Sequence, residues 1–431
     1  MSPPGRPDGH RHDAKIDWVR RPRCAILVVV TRTGSLRRDP AFRSLFAART
    51  ISFLGDSVSL VALMLHVADT AGQALAIALL LLVGDLAPAL LSPLAGAIGD
   101  RWDRRRMMIG CELVQAGLLA AIALSLPPLP LLLVLVGVRA VAGQVFLPAS
   151  RAAVATLVPR EQQAAANSAL GLATNGGEAA GPLVAAALFP FVGVQGVLLV
   201  DAATFLLSAL VLLRLPALPP SGPGEAARGS LLADAREGLG QLWRVPALRI
   251  IGLGFCAVVA FNGIDDVALV VLAKDTFDAG DSAAGVLLAA VGIGLFAGYA
   301  LLTRWSSRAS LLWLLVAGFA VSSVGNLLTG LAWAVGAAFA LQAVRGLGIA
   351  AMDVATNTLL PRLVPDALLG RVFGNLYGAI GLAAGLSYVA GGLLLDATSA
   401  PVTFVIAGAG GTLATVAVAV TLPRALRRRQ S

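Results

Sequence analysis

The chain has 431 residues, 57% hydrophobic and only 13% charged, with a formal net charge of +9 at pH 7. A water-soluble protein of this length carries about twice that share of charge, so the composition excludes one and makes lipid the solvent. Lys15 and Lys274 are the only lysines. The arginines sit in short segments between apolar runs, which excludes a nucleic-acid-binding surface.

Residues 1–44 read as a cytoplasmic segment. His10 and His12 lie in a polar tail containing Pro and Gly, a solvated stretch rather than a metal site. No cleavable signal peptide is evident. The apolar run 24–30 (CAILVVV) is too short to cross a bilayer of about 30 Å. It reads as an amphipathic lead-in or as sequence upstream of the true start. Cys24, Cys111 and Cys256 have no metal-ligand spacing and are expected to be free thiols. No metal and no cofactor is called for.

Apolar runs long enough to span follow at 45–68, 74–98, 107–126, 130–148, 165–187, 193–213, 249–272, 283–303, 309–330, 334–357, 370–394 and 402–422. In lipid each must be helical, because a helix satisfies its own backbone polar groups. The fold class is therefore an all-α polytopic membrane protein with twelve transmembrane helices. Residues 45–213 form an N-terminal six-helix bundle and 249–422 a C-terminal one. They are joined by a cytoplasmic linker at 214–248 and followed by a basic tail at 423–431. The linker is Pro/Gly-rich at its front. From Leu231 to Trp243 it has helical periodicity suited to the membrane surface.

Apart from Lys274 in an outer loop, and Arg139 and Arg345 within spans, the basic residues fall in inner loops, inner helix ends or the termini. The positive-inside rule then places both termini in the cytoplasm of a cell-membrane protein.

The halves repeat. Asp39-Pro40-Ala41-Phe42-Arg43 matches Val245-Pro246-Ala247-Leu248-Arg249, Val138-Arg139 matches Val344-Arg345, and Leu157-Val158-Pro159 matches Leu363-Val364-Pro365, all 206 residues apart. Arg101-Trp102 matches Arg304-Trp305 at 203. Two parallel six-helix pseudo-repeats around a central cavity make a transporter architecture. An ATP-driven pump would need a P-loop, and neither lysine sits in one. No nucleophile or metal constellation supports an enzyme. A channel is expected to oligomerise around one pore rather than to repeat six spans within a chain.

Ionisable groups within spans are costly and mark function or structure. They are Asp56, Asp85, Glu112, Arg139, Glu178, Asp201, Asp265, Asp266, Arg345 and Asp353. Glu112 reads as structural, near a cytoplasmic end, and Asp85 and Asp201 as partners for other helices. Asp56 has Asn262 as its repeat mate. Of the adjacent Asp265 and Asp266 only one can point directly inward, and Asp265 lies closer to the Asn262 face. Arg345 and Asp353 are about two turns apart and share a face, so each needs a partner elsewhere. Phe53, Phe146, Phe261, Tyr377 and Tyr388 are candidates for an apolar pocket.

Several stretches resemble the major facilitator superfamily. Gly96-Ala97-Ile98-Gly99-Asp100-Arg101-Trp102-Asp103-Arg104-Arg105-Arg106, between the second and third spans, resembles that family's loop motif. Arg139-Ala140-Val141-Ala142-Gly143 resembles the Arg-x-x-x-Gly motif of proton-coupled members. Gly177-Glu178-Ala179-Ala180-Gly181-Pro182 resembles, in part, the Gly-x-x-x-Gly-Pro motif of exporters. Stretches 49–56, 157–161, 242–246 and 363–374 are similar to bacterial drug, macrolide and siderophore exporters.

The resemblance implies a monomeric secondary transporter that exports a small hydrophobic or amphipathic compound against a proton flux. Its partners are that substrate, protons and the bilayer. Uptake of a small metabolite is the alternative. It implies that the first and fourth spans of each half line the cavity, so a partly desolvated Asp56 can take and release a proton near neutral pH, tuned by Arg139. It implies too that Asp100 meets the N-terminus of the eleventh span, near Gly370-Arg371, when the cavity opens outward. Arg101 and Arg104–Arg106 would anchor that loop. In the fifth span Gly177 and Gly181 read as helix-packing residues with Pro182, and Glu178 either points elsewhere or joins Asp56, Arg139, Asn262, Asp265, Arg345 and Asp353 as a candidate for proton coupling in the cavity.

Overall fold

The computed structural model describes residues 39–99, 102–159, 162–219, 231–305, 310–364 and 368–427. In the first half the helices are α1 (Pro40–Ala71), α2 (Ala74–Gly99), α3 (Arg104–Ser125), α4 (Leu129–Leu157) and α5 (Gln163–Leu212). In the linker lies α6 (Leu231–Arg244). The second half comprises α7 (Pro246–Asn262), α8 (Asp265–Val271), a π-helical turn (Leu272–Thr276), α9 (Gly280–Trp305), α10 (Leu311–Thr329), α11 (Val335–Leu363), α12 (Leu369–Ala397) and α13 (Ala400–Arg427).

Ten helical segments among the described residues are long and apolar enough to cross a membrane. Their outward side chains fit that solvent. Phe191 is 86% exposed, Leu124 75% and Leu413 72%, a surface that water would penalise and lipid does not.

The repeat governs helix ends. Both α1 and α7 begin on a proline, Pro40 and Pro246, 206 residues apart. Proline is pre-set for the first helical position, where its missing N–H has no partner to lose. At the start of α1 the Asp39 carboxylate also accepts from Ala41 N at 2.8 Å and Phe42 N at 3.2 Å. Helices α4 and α11 each run 29 residues and close on an extended Val158 or Val364, again 206 apart. Arg139 and Arg345 thereby occupy the same depth in equivalent helices.

Two spans depart from simple rods. Helix α5 covers both the fifth and sixth predicted spans and bends at Gly193, whose φ of 61° and ψ of −172° suit glycine alone. Pro190 just before it removes a backbone donor. The predicted seventh span is α7, α8 and the π turn in series, interrupted at Gly263–Ile264. That interruption sets Asp265 and Asp266 in the first turn of a new helix.

The halves meet where α5 packs on α9 and α2 on α12. One large apolar cluster takes Leu63, Ile77 and Phe205 from the first half together with Leu269, Leu287 and Phe404 from the second. It occupies the end of the molecule holding the α1–α2 turn. At the other end the described residues form two clusters, each within one half. One is built on Leu45, Met108 and Leu212, the other on Phe255, Phe319 and Leu422. The structure is closed at the α1–α2 end and divided at the linker end.

Polar contacts reinforce the closed end. Lys274, predicted to lie in a loop, sits in the π turn and pairs with Asp69 of α1 and, at 2.7 Å, with Asp281 of α9. Asp396, near the end of α12, accepts from Ala74 N at 2.6 Å and Leu75 N at 3.1 Å. It therefore caps the N-terminus of α2 from the opposite half and faces that helix's positive dipole end.

Asp396→Ala removes both bonds. Loss of a cap of this kind costs about 0.5–2 kcal/mol, so the closed-to-open ratio at this end is expected to fall about 2- to 30-fold. Spin labels at Gln73 and Thr398 read the change as a longer, broader distance distribution. An unaltered distribution would make the cap incidental.

The Gly177–Pro182 stretch packs α5 against α1. A Cβ at Gly177 would lie 3.3 Å from Leu54 N, and one at Gly181 would lie 3.0 Å from the Ser57 carbonyl carbon and collide with Ser57 Cβ. Gly181→Ala is expected to destabilise by about 1–3 kcal/mol through overpacking. Gly110→Ala on α3, with open space around it, should not. Thermal unfolding in detergent compares the two.

Candidate functional site

The first-half site is assembled from α1, α3, α4 and the second arm of α5. Arg139 Nη1 pairs with Asp56 Oδ1, joining α4 to α1. The arginine side chain is 11% exposed and the aspartate 33%, so the carboxylate is the member open to the cavity beside it. That cavity, about 390 Å³, is lined by Ser52, Asp56, Asp85, Gln115, Arg139 and Phe146 among others, all from α1 to α4.

Behind the pair lie two more acids. Asp201, on the second arm of α5, is fully buried and accepts from Thr204 Oγ1 at 2.9 Å. Gly55 allows this approach, since a Cβ there would be 3.1 Å from Asp201 Cγ. Glu112 is also fully buried and accepts from Ser52 Oγ at 3.4 Å. Read from the sequence as a residue near a helix end, it lies two turns into α3 and faces Asp56 and Asp201.

The second half repeats the arginine–aspartate pair with a different setting. Arg345 Nη1 pairs with Asp265 Oδ2, and the two side chains are only 6% and 10% exposed. Asn262, the repeat mate of Asp56, instead turns into an amide network. Asn326 Nδ2 donates to Asn262 Oδ1 at 2.9 Å, and Asn262 Nδ2 donates to Ser323 Oγ at 3.2 Å. Gln342 Nε2 donates to Thr329 Oγ1 at 3.0 Å and Asn326 Oδ1 at 3.2 Å, while its own Oε1 accepts from Arg345. The break in the seventh span supplies the shift of three residues, from Asn262 to Asp265, that gives Arg345 a carboxylate.

Asp353 is two turns from Arg345 on α11 and accepts from Tyr299 Oη of α9 at 2.9 Å. Tyr388, a candidate pocket aromatic, donates its hydroxyl to Asp85 Oδ2 at 3.1 Å, across the two halves. Asp266 faces Asp265, Arg345 and Asp85. Asp85 also borders a second cavity, about 460 Å³, between α2, α6 and α12.

In the loop motif, Gly96 is within α2, and Asp100 and Arg101 lie outside the described residues, as does the side chain of Glu178. Arg104 is buried. Its Nη1 donates to Thr156 Oγ1 at 2.9 Å and its backbone N–H to Leu218 O at 2.9 Å. Arg105 donates to Leu213 O. The Asp103 carboxylate caps α3 through Arg106 N at 2.9 Å and accepts from Leu218 N at 2.9 Å. The Asp103 carboxylate and the Arg104 backbone thus tie the start of the linker to the first half. Arg371, at the start of α12, pairs with Glu237 of α6 and ties the linker's rear to the second half.

Sequence reasoning overlooked Ser52, Gln115, Asn326 and Gln342. Their signal was available, since Asn, Gln and Ser in apolar spans commonly hydrogen-bond between helices.

The description "Major Facilitator Superfamily" belongs to the family model that matches residues 45–272 and 264–431. An uncharacterized transporter of the same type from Bacillus subtilis, YfiS, is 27% identical over 379 residues, covering 86% of this chain and 91% of that one. The multidrug efflux pump Tap of Mycolicibacterium fortuitum is 28% identical over 415 residues, covering 90% and 97%. Among solved structures, the nucleoside transporter NupG superposes with a TM-score of 0.75 at 13% identity, covering 88% of this chain and 99% of that one. With the family model spanning both halves, this chain is a multi-pass membrane transporter belonging to the Major Facilitator Superfamily.

Proposed function

We propose that the chain exports a small hydrophobic or amphipathic compound from the cytoplasm in exchange for protons, acting as a monomer in the cell membrane. The observation that carries this reading is the Asp56–Arg139 pair, with its carboxylate one-third exposed to the first-half cavity. Export is supported by the Gly177–Pro182 stretch and by similarity to Tap, a multidrug efflux pump, over nearly both full lengths.

Counting the two arms of α5 separately and adding α2 brings the ten long apolar segments to twelve spans. With the arginine-rich segments inside, the divided end faces the cytoplasm, and the conformation is inward-open. In this state a deprotonated Asp56 holds Arg139, and substrate enters the cavity beside them. When the cavity faces outward, proton binding to Asp56 cancels the pair, frees Arg139 and promotes release of the substrate.

The test is transport in proteoliposomes under an imposed pH gradient, over a panel of hydrophobic cations, macrolides and siderophores. Gradient-driven efflux of at least one class is expected. Asp56→Asn should reduce it by at least about tenfold while inserting normally. Unchanged pH-dependent transport in that variant would sink the assignment. Orientation is checked in a cysteine-free background with a membrane-impermeant thiol reagent. A cysteine at Asp278 should label from outside, and cysteines at Arg105 and Gly222 only from inside. Labelling at Gly222 from outside would overturn the twelve-span topology.

A further inference from the structure

Resting on the proton-coupled reading, we infer that Glu112 and Asp201 are held as neutral acids in this conformation, and that Asp201 exchanges its proton with Asp56 as Arg139 moves from one to the other.

The argument starts from a charge count. Asp56, Glu112 and Asp201 converge from α1, α3 and α5, and Asp56 faces both of the others. Arg139 is the cation among them, and it is committed to Asp56. The next arginines are Arg49 on α1 and Arg151 on α4, which face each other. The Arg49 guanidinium lies 5.0 Å over the Phe53 ring, about two turns along α1 from Asp56. Cys111 neighbours Glu112 on α3. With three ionised acids, the cluster would hold two uncompensated negative charges at membrane depth, and desolvation makes that arrangement prohibitive.

Hydrogen bonding locates the protons. Glu112 accepts from Ser52 through Oε2, and Asp201 accepts from Thr204 through Oδ1. Glu112 Oε1 and Asp201 Oδ2 make no hydrogen bond within ordinary distance, and the Ser208 and Ser59 hydroxyls lie beside the two acids. A serine oxygen can accept from a protonated carboxyl. Each acid, accepting through one oxygen, therefore has a neighbour that its second oxygen can donate to when protonated.

Asp201 differs from Glu112 in one respect, because it also faces Arg139. Moving the guanidinium from Asp56 to Asp201 strips Asp56 of its counter-charge and supplies one to Asp201. The Asp201 O–H bond then breaks, and the proton forms an O–H bond on Asp56. Both ends of the exchange contain one ion pair and one neutral acid, so total charge is conserved. The proton passes from a sealed site to the residue that opens on the cavity. Glu112 has no guanidinium to receive and stays protonated, keeping the α1–α3 contact neutral.

Infrared spectroscopy of the purified full-length chain tests this directly. Carbonyl bands of protonated carboxyls should be present at neutral pH. Labelling aspartate or glutamate with carbon-13 should assign the bands to residue type. Asp201→Asn should remove one aspartate component, distinct from any contributed by Asp85, Asp266 and Asp353, and Glu112→Gln one glutamate component. In transport, Asp201→Asn should lose gradient-driven efflux by at least about tenfold yet bind substrate within about threefold of the parent. Asp201→Glu should restore coupled transport with a displaced pH profile, which a purely structural residue would not do. Ionised Glu112 and Asp201 in the labelled parent protein would overturn the inference even if no variant folds. So would a parental pH profile in Asp201→Asn. If the parent transports substrate without any proton dependence, the coupling reading fails instead, and the infrared bands still report whether the acids are neutral.

Discussion

The constraint on which the rest of the structure depends is an arginine at membrane depth in each half. A guanidinium cannot shed its charge, and placing one within a span costs about 2.5–3.5 kcal/mol even on insertion scales. It must therefore be paired, and each pair joins two helices that otherwise touch little. Arg139 draws α4 onto α1 through Asp56, and Arg345 draws α11 onto α8 through Asp265. In the second half this requires a broken helix, since the residue in register with Asp56 is the uncharged Asn262. The interruption at Gly263–Ile264 replaces a carboxylate missing from the expected position with one three residues later.

The same logic of lipid as solvent explains what was legible in the sequence. Helical spans, their approximate limits and the repeat at 206 residues follow from backbone satisfaction and from proline and arginine placement, which are local properties. Pro40 and Pro246 were read only as matching positions of the repeat, with spans starting at 45 and 249, whereas the helices begin on the prolines themselves. The fifth and sixth predicted spans were legible too, since the non-helical backbone at Gly193 separates the two arms of α5 where the second of those spans begins.

The partnerships of the site were the least legible. Asp201 and Glu112 are each unremarkable as single acids in apolar helices, and only packing brings them against Asp56. Gly55 is the element that permits it, and one glycine among 47 carries no mark of that role. Asp396 reads as an outer-loop charge, whereas its carboxylate supplies the missing N-cap of a helix more than 300 residues away in the chain. Tyr388 reads as a pocket aromatic, yet its hydroxyl is the part engaged across the halves. In each case the informative contact joins residues distant in sequence, where periodicity and spacing are silent.

The two arginine sites differ in what surrounds them. In the second half the pair is enclosed, and beside it Asn262, Ser323, Asn326, Thr329 and Gln342 are neutral groups bonded to one another, with Asp266 as a further acid. A hydrogen-bonded network of this kind stiffens the helices that supply it. In the first half the pair opens on a cavity and two acids lie behind it, while Nε of both Arg139 and Arg345 is buried without a partner. Pseudo-symmetry thus supplies two copies of one ion pair. The surrounding side chains leave the first-half copy open to a cavity and the second-half copy enclosed by an amide network.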